Sequence, residues 1–225
     1  MKRVSYASSF GVSVWTHSEI SNDIKRLLGR FSSISCREKS GVSLIHNIFG
    51  LKAYNVIDPT LLLGNYEGFV YGKSVERTLV CYPLGDDSEL QNFSKQLARR
   101  LNLVYIDNFN KRTVFKKVVW NRNSIEEWIT NIANADFVVT RSFHGMLFSI
   151  IFNKNFVVLS GKKKRNTRLT DFLGEVGLMG RYFTTIDEIE KSKVWLHKID
   201  YTKINIKVTE MRTASLKALK SMING

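Results

Sequence analysis

Proline and cysteine are both scarce, with two of each in 225 residues. Pro59 and Pro83 leave no proline-rich linker, and no low-complexity segment or internal repeat interrupts the chain. Cys36 and Cys81 are too few for a disulfide framework and lack metal-ligand spacing, which favours a reducing, cytoplasmic setting. No apolar run approaches the ~20 residues that a membrane-crossing helix needs. The opening "VSYASSFGVSVW" lacks the continuous apolar stretch of a secretory leader. A Walker loop, GxGxxG, HExxH and a Ser–His–Asp signature are likewise absent, and no metal site is expected. Acids are also in deficit: 20 Asp and Glu face 34 Lys and Arg, a net charge of +14.

The positive excess is uneven. Residues 111–122, "KRTVFKKVVWNR", hold five cations and no acid, and residues 162–168, "KKKRNTR", hold five more. Such clustering suits phosphorylated small molecules, lipid head groups or nucleic acid. A solvated, merely basic surface is the plainer alternative. No aromatic-interleaved basic motif speaks for nucleic acid, and none is expected as a partner.

Apolar spacing alternates between strand and helix periods. "RVSYA", "SISC" and "AYNVI" read as strands, with helices predicted over Thr16–Phe31 and Ser40–Phe49. "THSE" predicts a capping box from Thr16 and Glu19, and Gly50 a helix stop. After the polar break at 64–74 a second series follows. "RTLVCYP", "LVYID", "DFVVT" and "FVVLS" are strands, separated by helices at Asp87–Leu101, Ser124–Asn134 and His144–Asn153. A helix over Leu169–Val176 and a basic terminal helix over Ile206–Met222 complete the chain. The pattern predicts an α/β protein with two parallel-sheet, Rossmann-like units. The expected division is 1–68, 69–205 and a terminal helix over 206–225 that packs back on the first unit. The first sheet is small. A fragment, a homodimer or cover by the final helix would each account for that.

Ligands of open α/β sheets bind beyond the carboxyl ends of the strands. Arg37 directly follows "SISC", His144 follows "DFVVT", and Arg165 and Arg168 follow "FVVLS". Ser142 is a natural N-cap, so Ser142, Phe143, His144 and Gly145 form a helix start whose N–H groups suit an anion. Gly145, without a Cβ, allows close approach of a ligand to the backbone. Arg168 precedes an apolar helical face that would hold it in place, with Thr167 as cap, and Lys164 and Arg165 lie on the loop just before. Asp58, in "DPT", ends another strand; a cap and a substrate contact are both open to it. "GDDSE" at 85–89 reads as a helix start, where acids suit the dipole.

The blocks "RVSYASSFG", "ISCREKSG", "VIDPTLLL", "ADFVVTRSFHGMLFSIIFNKNF" and "RLTDFLGEVGL" together resemble the polysaccharide pyruvyl transferase family. The resemblance runs from Val4 to about Arg181, and "SFHG" is its most specific part. It implies a glycosyltransferase-B-like fold with a cleft between two Rossmann-like domains. It also implies transfer of a pyruvyl group from phosphoenolpyruvate, as co-substrate and without a further cofactor, to a sugar or lipid-linked oligosaccharide, usually as a cyclic ketal. By position, Arg37, His144 and Arg168 match residues the family uses for donor binding and catalysis. Two departures stand out. Arg141 occupies the place where the family usually has Asp, which bears on the orientation and charge of His144. The chain also begins close to "SYASSFG", so the N-terminal, acceptor-side domain is expected to be truncated. A nucleotide-sugar glycosyltransferase and an inactive, anion-binding remnant are the alternatives. The basic C-terminal stretch suits peripheral contact with anionic head groups at the inner face of the plasma membrane.

Overall fold

The structure is a computed structural model. It describes residues 2–72, 75–108, 110–114, 117–121, 123–160 and 166–224, with 110–114 and 117–121 as backbone only. The chain opens with β1 (Val4–Ser8), α1 (Ser21–Leu28), β2 (Ser33–Cys36), α2 (Lys39–Phe49), β3 (Tyr54–Asn55) and α3 (Pro59–Leu63). Then come β4 (Thr78–Tyr82), α4 (Ser88–Arg100), β5 (Val104–Asp107), β6 (Asn110–Val114), β7 (Lys117–Asn121), α5 (Ile125–Asn134), β8 (Phe137–Thr140), α6 (Phe143–Ile151) and β9 (Asn155–Leu159). The remainder is α7 (Thr167–Glu175), β10 (Tyr182–Phe183), α8 (Ile186–Ser192) and the long α9 (Thr202–Asn224).

Two compact units result. The first comprises Met1–Leu63, Lys162–Met179 and Tyr201–Gly225; the second comprises Gly64–Gly161 and Gly180–Asp200. This division corrects the expected 69–205 block: the segment around α7 groups with the first unit. The physical reason is specific. Asp171 on α7 accepts from the Ser40 backbone N–H (3.1 Å) and hydroxyl (2.9 Å), and Glu175 pairs with Lys39 at 3.3 Å. An acid at the start of α2 satisfies donors that a helix N-terminus otherwise leaves open.

The first unit holds a parallel sheet in the order β1-β2-β3. Ile34 and Cys36 pack with Ile45 and Phe49 of α2, and Phe10, Trp15, Ile24 and Leu28 close over them. α9 packs against β1 and α3. Ser215 is buried on α9 and accepts from the Ile57 backbone N–H at 3.0 Å, while Arg212 donates to the carbonyls of Leu62 and Leu63. Gly50 takes the left-handed conformation (φ 66°) that ends α2, as its position predicts.

The helix expected over Thr16–Phe31 is shorter. A 3-10 turn at Ser18–Ile20 precedes α1, and the His17 side chain makes no cap. The Thr16–Glu19 capping box is absent, and Glu19 instead faces His17 at 3.5 Å. Ile20, Leu27 and Phe31 remain exposed, so only Ile24 and Leu28 of the predicted stripe reach the core.

The second unit holds a five-stranded sheet, β10-β9-β8-β4-β5, in which every pairing is parallel. Its inner strands are apolar on both faces. Leu79, Cys81, Phe137, Val139, Val157 and Leu159 pack with Leu90, Phe93 and Leu97 of α4 and Ile189 of α8, while Val80, Val138 and Val158 are buried opposite. Such two-sided burial is what a parallel sheet requires. Asp87 caps α4 and Ser124 forms a capping box with Glu127, both at the predicted helix starts. The basic stretch at 111–122 contributes to an antiparallel β6–β7 ribbon that the charge pattern did not signal.

Candidate active site

In the first unit the carboxyl end of β2 delivers Arg37, whose backbone N–H is tied to the Ser8 carbonyl of β1 at 3.1 Å. Its guanidinium meets Asp58, beyond β3, at 2.5 Å. Asp58 is 4% exposed and also accepts from the Thr60 backbone N–H at 2.9 Å. Burial alone would raise its pKa. The Thr60 hydrogen bonds, with the bond and charge of Arg37, outweigh that and hold the carboxyl below the usual range. Asp58 is thus both the turn residue and the partner that orients Arg37.

Arg168, on the first turn of α7, belongs to the same neighbourhood. Burial lowers its pKa first and the positive charge of Arg37 second, while Glu38 and Asp58 act in the opposite sense. The sequence reading set Arg168 opposite Arg37; the structure places both in the first unit. Thr167 does not cap α7; Asn166 holds the N-cap position without a side-chain bond. Glu38 is a residue the sequence reading passed over. It is 1% exposed, and its Oε1 accepts from the Ser9 hydroxyl and from the Gly11 N–H (3.1 Å), pinning the loop after β1. Its Oε2 is buried with no hydrogen-bond partner among the described residues. The acid after Arg37 in "SCREKS" is the signal that the sequence offers for it.

The second unit carries the other candidates. β8 ends at Thr140, and Ser142 caps α6 by accepting from Gly145 N–H at 3.2 Å. Ser142, Phe143 and Gly145 are buried, whereas His144 is exposed and lies edge-on to the Phe143 ring. His144 is therefore not a core histidine. Gly145 has a different role from the one expected. A Cβ there would stand 2.6 Å from Thr140 Oγ1 and 3.2 Å from Tyr82 Cδ1, so the missing side chain lets α6 seat on β8 and β4 rather than admitting a ligand.

Arg141 does not stand in for the carboxylate it replaces. It donates to Asp87 at the cap of α4, to Glu89 (3.1 Å) and to the Ser160 carbonyl after β9. Lys164 and Arg165 lie outside the described residues. Among the described residues no group of three or more His, Cys, Asp or Glu is arranged to hold a metal. No described helix is long and apolar enough to cross a membrane.

The model of the polysaccharide pyruvyl transferase family matches residues 1–163 of the 225. The chain belongs to this family. Within that span fall Arg37, Glu38, Asp58 and the Ser142–Gly145 turn, whereas Arg168 lies beyond it. Comparison with curated proteins finds no match. Among solved structures, the wall teichoic acid polymerase TagF is similar at 12% identity and a TM-score of 0.47. The match covers all of this chain and 66% of that one, and at this level nothing about TagF's ligands transfers.

Proposed function

We propose that the protein transfers the pyruvyl group of phosphoenolpyruvate to a pair of hydroxyls on a cell-surface polysaccharide or its precursor, forming a ketal, within a glycosyltransferase-B-like architecture. The observation that carries this reading is the gathering of Arg37 and Arg168 with Asp58 and Glu38 in the first unit of a family member. A guanidinium fork fits both carboxylate and phosphate, and two of them in one neighbourhood suit a donor that carries both groups, with Asp58 and Glu38 setting the local charge balance.

The chemistry balances without a further co-reactant. A proton added to the methylene carbon of the donor makes C2 electrophilic, and the first sugar hydroxyl forms a C2–O bond there. The C2–O bond to phosphate then breaks, and the second hydroxyl closes the ketal. Of the two hydroxyl protons, one replaces the proton that became part of the methyl group and the other leaves with phosphate. Arg37 and Arg168 hold the anionic groups of the donor. His144 moves the proton, with the α6 N-terminus at Ser142–Gly145 favouring negative charge nearby. Lys164 and Arg165, four and three positions before Arg168 in sequence, are candidates for the same anionic groups.

Replacing His144 by Ala is expected to slow phosphate release from phosphoenolpyruvate by about 10²–10⁴-fold with a competent acceptor, while the donor still raises the melting temperature. Unchanged turnover would remove the imidazole from the mechanism. Stabilisation by nucleotide sugars and not by phosphoenolpyruvate would overturn the whole reading.

A further inference from the structure

The first unit keeps its acids away from one end of its sheet. Its acids are Glu19, Asp23, Glu38, Asp58, Asp171, Glu175 and Glu210. Glu38 and Asp58 lie beyond the carboxyl ends of β2 and β3, and Asp171 and Glu175 bond to Ser40 and Lys39 at the start of α2, by the same ends. Glu19 faces His17 ahead of α1, and Glu210 lies 4.0 Å from Lys207. Asp23 on α1 meets Arg26 at 3.4 Å.

The amino ends of the strands are different. Val4 of β1 stands opposite Ser33 of β2, and Ser35 opposite Tyr54 of β3, all parallel, so the segments that enter the three strands meet at one edge. The Ser32 backbone N–H donates to the Arg3 carbonyl at 2.8 Å, tying the entries of β1 and β2. The Lys2 ammonium donates to the Ile223 carbonyl at 2.8 Å and so brings the last turn of α9 to the same edge. Lys25 of α1 reaches over Gly50, its Nζ 3.7 Å from where a Cβ would stand, in the turn that leads through Lys52 to β3. Residues 2–8, 24–36, 46–57 and 211–224 contain no Asp or Glu. Lys2, Arg3, Lys25, Arg30, Lys52 and Lys220 are exposed, and none of the six forms an ion pair among the described residues. Phe31, Tyr54 and Ile223 belong to the same segments and are 37%, 50% and 57% exposed.

Cations gathered without acids attract a polyanionic surface. A nucleic-acid duplex would meet the cations but leave Phe31 and Ile223 in water. An anionic bilayer takes both, with lipid phosphates at the cations and the apolar side chains at the head-group boundary. We infer that the amino edge of the first unit, around Lys2, Arg3, Arg30, Phe31, Lys52 and Lys220, is a docking surface for an anionic lipid bilayer. Of these residues only Lys220 belongs to the basic C-terminal stretch; the others come from the entries of three strands. Docked in this way, β1–β3 stand on the membrane. Arg37 and Asp58 then face away from it, roughly 15 Å along a strand the length of β1, open to the aqueous side. Pyruvyl transfer plays no part in this assignment.

The test is co-sedimentation of the full chain with phosphatidylcholine vesicles, with and without about one part in three of phosphatidylglycerol. Binding to the anionic vesicles alone is expected, and it should weaken as salt is raised. The triple variant Arg3→Glu, Lys52→Glu, Lys220→Glu is expected to lose affinity about tenfold or more, with its melting temperature showing that it folds. Arg99→Glu, Lys191→Glu, Lys198→Glu makes the same charge change at exposed positions of the second unit and should cost less than about threefold. Phe31→Ser should weaken binding by a smaller factor than the first triple variant, and raised salt should not erase that loss. Absence of binding to anionic vesicles overturns the docking surface. Equal losses in the two triple variants overturn it too, because overall charge would then account for the attraction. Capture of a duplex DNA fragment without vesicle binding overturns it in favour of nucleic acid.

Discussion

Each unit carries an arginine paired with an aspartate at the carboxyl edge of its sheet, and the two pairs have different surroundings. Arg37 meets Asp58, with a second guanidinium, Arg168, close enough to be felt electrostatically. Arg141 meets Asp87, with a second carboxylate, Glu89, and a carbonyl at Ser160. In the first neighbourhood two guanidiniums are gathered with two carboxylates, Asp58 and Glu38. In the second, acceptors from α4 and from the end of β9 converge on a single cation and complete it. The second pair holds helix and strands in register; the first is the one that the proposed donor would meet.

Removing Arg141 should test this contrast most strongly. Its side chain and that of Asp87 are 8% and 6% exposed, so Arg141→Ala leaves a buried carboxylate without its counter-ion. A loss of about 3–5 kcal/mol in urea-unfolding stability is expected. Arg141→Lys should recover only part, since an ammonium cannot fork across three acceptors. A loss below roughly 1 kcal/mol would mean the pair is no more than a surface bridge.

Arg37→Ala likewise leaves a buried carboxylate, Asp58 at 3% side-chain exposure, without its guanidinium, so it too costs stability, and the contrast lies in the donor. Affinity of the folded variant for phosphoenolpyruvate, by titration calorimetry, should drop about tenfold or more. Donor affinity unchanged in the folded Arg37→Ala variant would give Arg37 the same purely structural role as Arg141. Gly145→Ala is next, at about 1–3 kcal/mol of stability, because the new methyl meets Thr140 Oγ1, itself bonded to the Tyr82 carbonyl. A neutral effect on melting would show that α6 can shift on β8 and would reopen the space for a ligand.

The smallest effect concerns pH. The folded-state pKa of Asp58 lies below its unfolded value, so its contribution is fully present above about pH 4 and is lost as pH falls through the folded value. Stability of the wild-type chain should therefore fall in acid more steeply than that of Asp58→Asn. Identical slopes below about pH 4 would separate Asp58 from Arg37 energetically.

Much of the fold could be read from local pattern. The apolar runs at Thr78–Tyr82, Phe137–Thr140 and Asn155–Leu159 are strands because a two-sided sheet needs them so. Ser124 with Glu127 and the Gly50 stop carry their chemistry within a few residues. The Thr16 capping box failed because α1 has no buried residue to hold its first turn in place. What was not legible depends on long-range partners. Nothing near Arg168 in sequence says that Asp171 would reach Ser40, 131 positions away, and carry α7 into the first unit. Glu38 was hidden for a similar reason, since Ser9 and Gly11 bond to it across 29 and 27 positions. Gly145 was visible as a glycine, but whether it cleared room for a ligand or for Tyr82 depended on how α6 meets β4.

The discontinuity of the first unit has a consequence for biosynthesis. Residues 64–161 are one uninterrupted segment holding β4 to β9, whereas the first unit needs its opening 63 residues, the piece around α7 and the final helix together. As the chain leaves the ribosome, β4–β9 can pair while β1–β3 still await Ser215 and the rest of α9. Nascent β1–β3 therefore stays an unfinished sheet until α9 has been made, and the segment that recruits Arg168 to Arg37 arrives only after β4–β9 have a core to fold on.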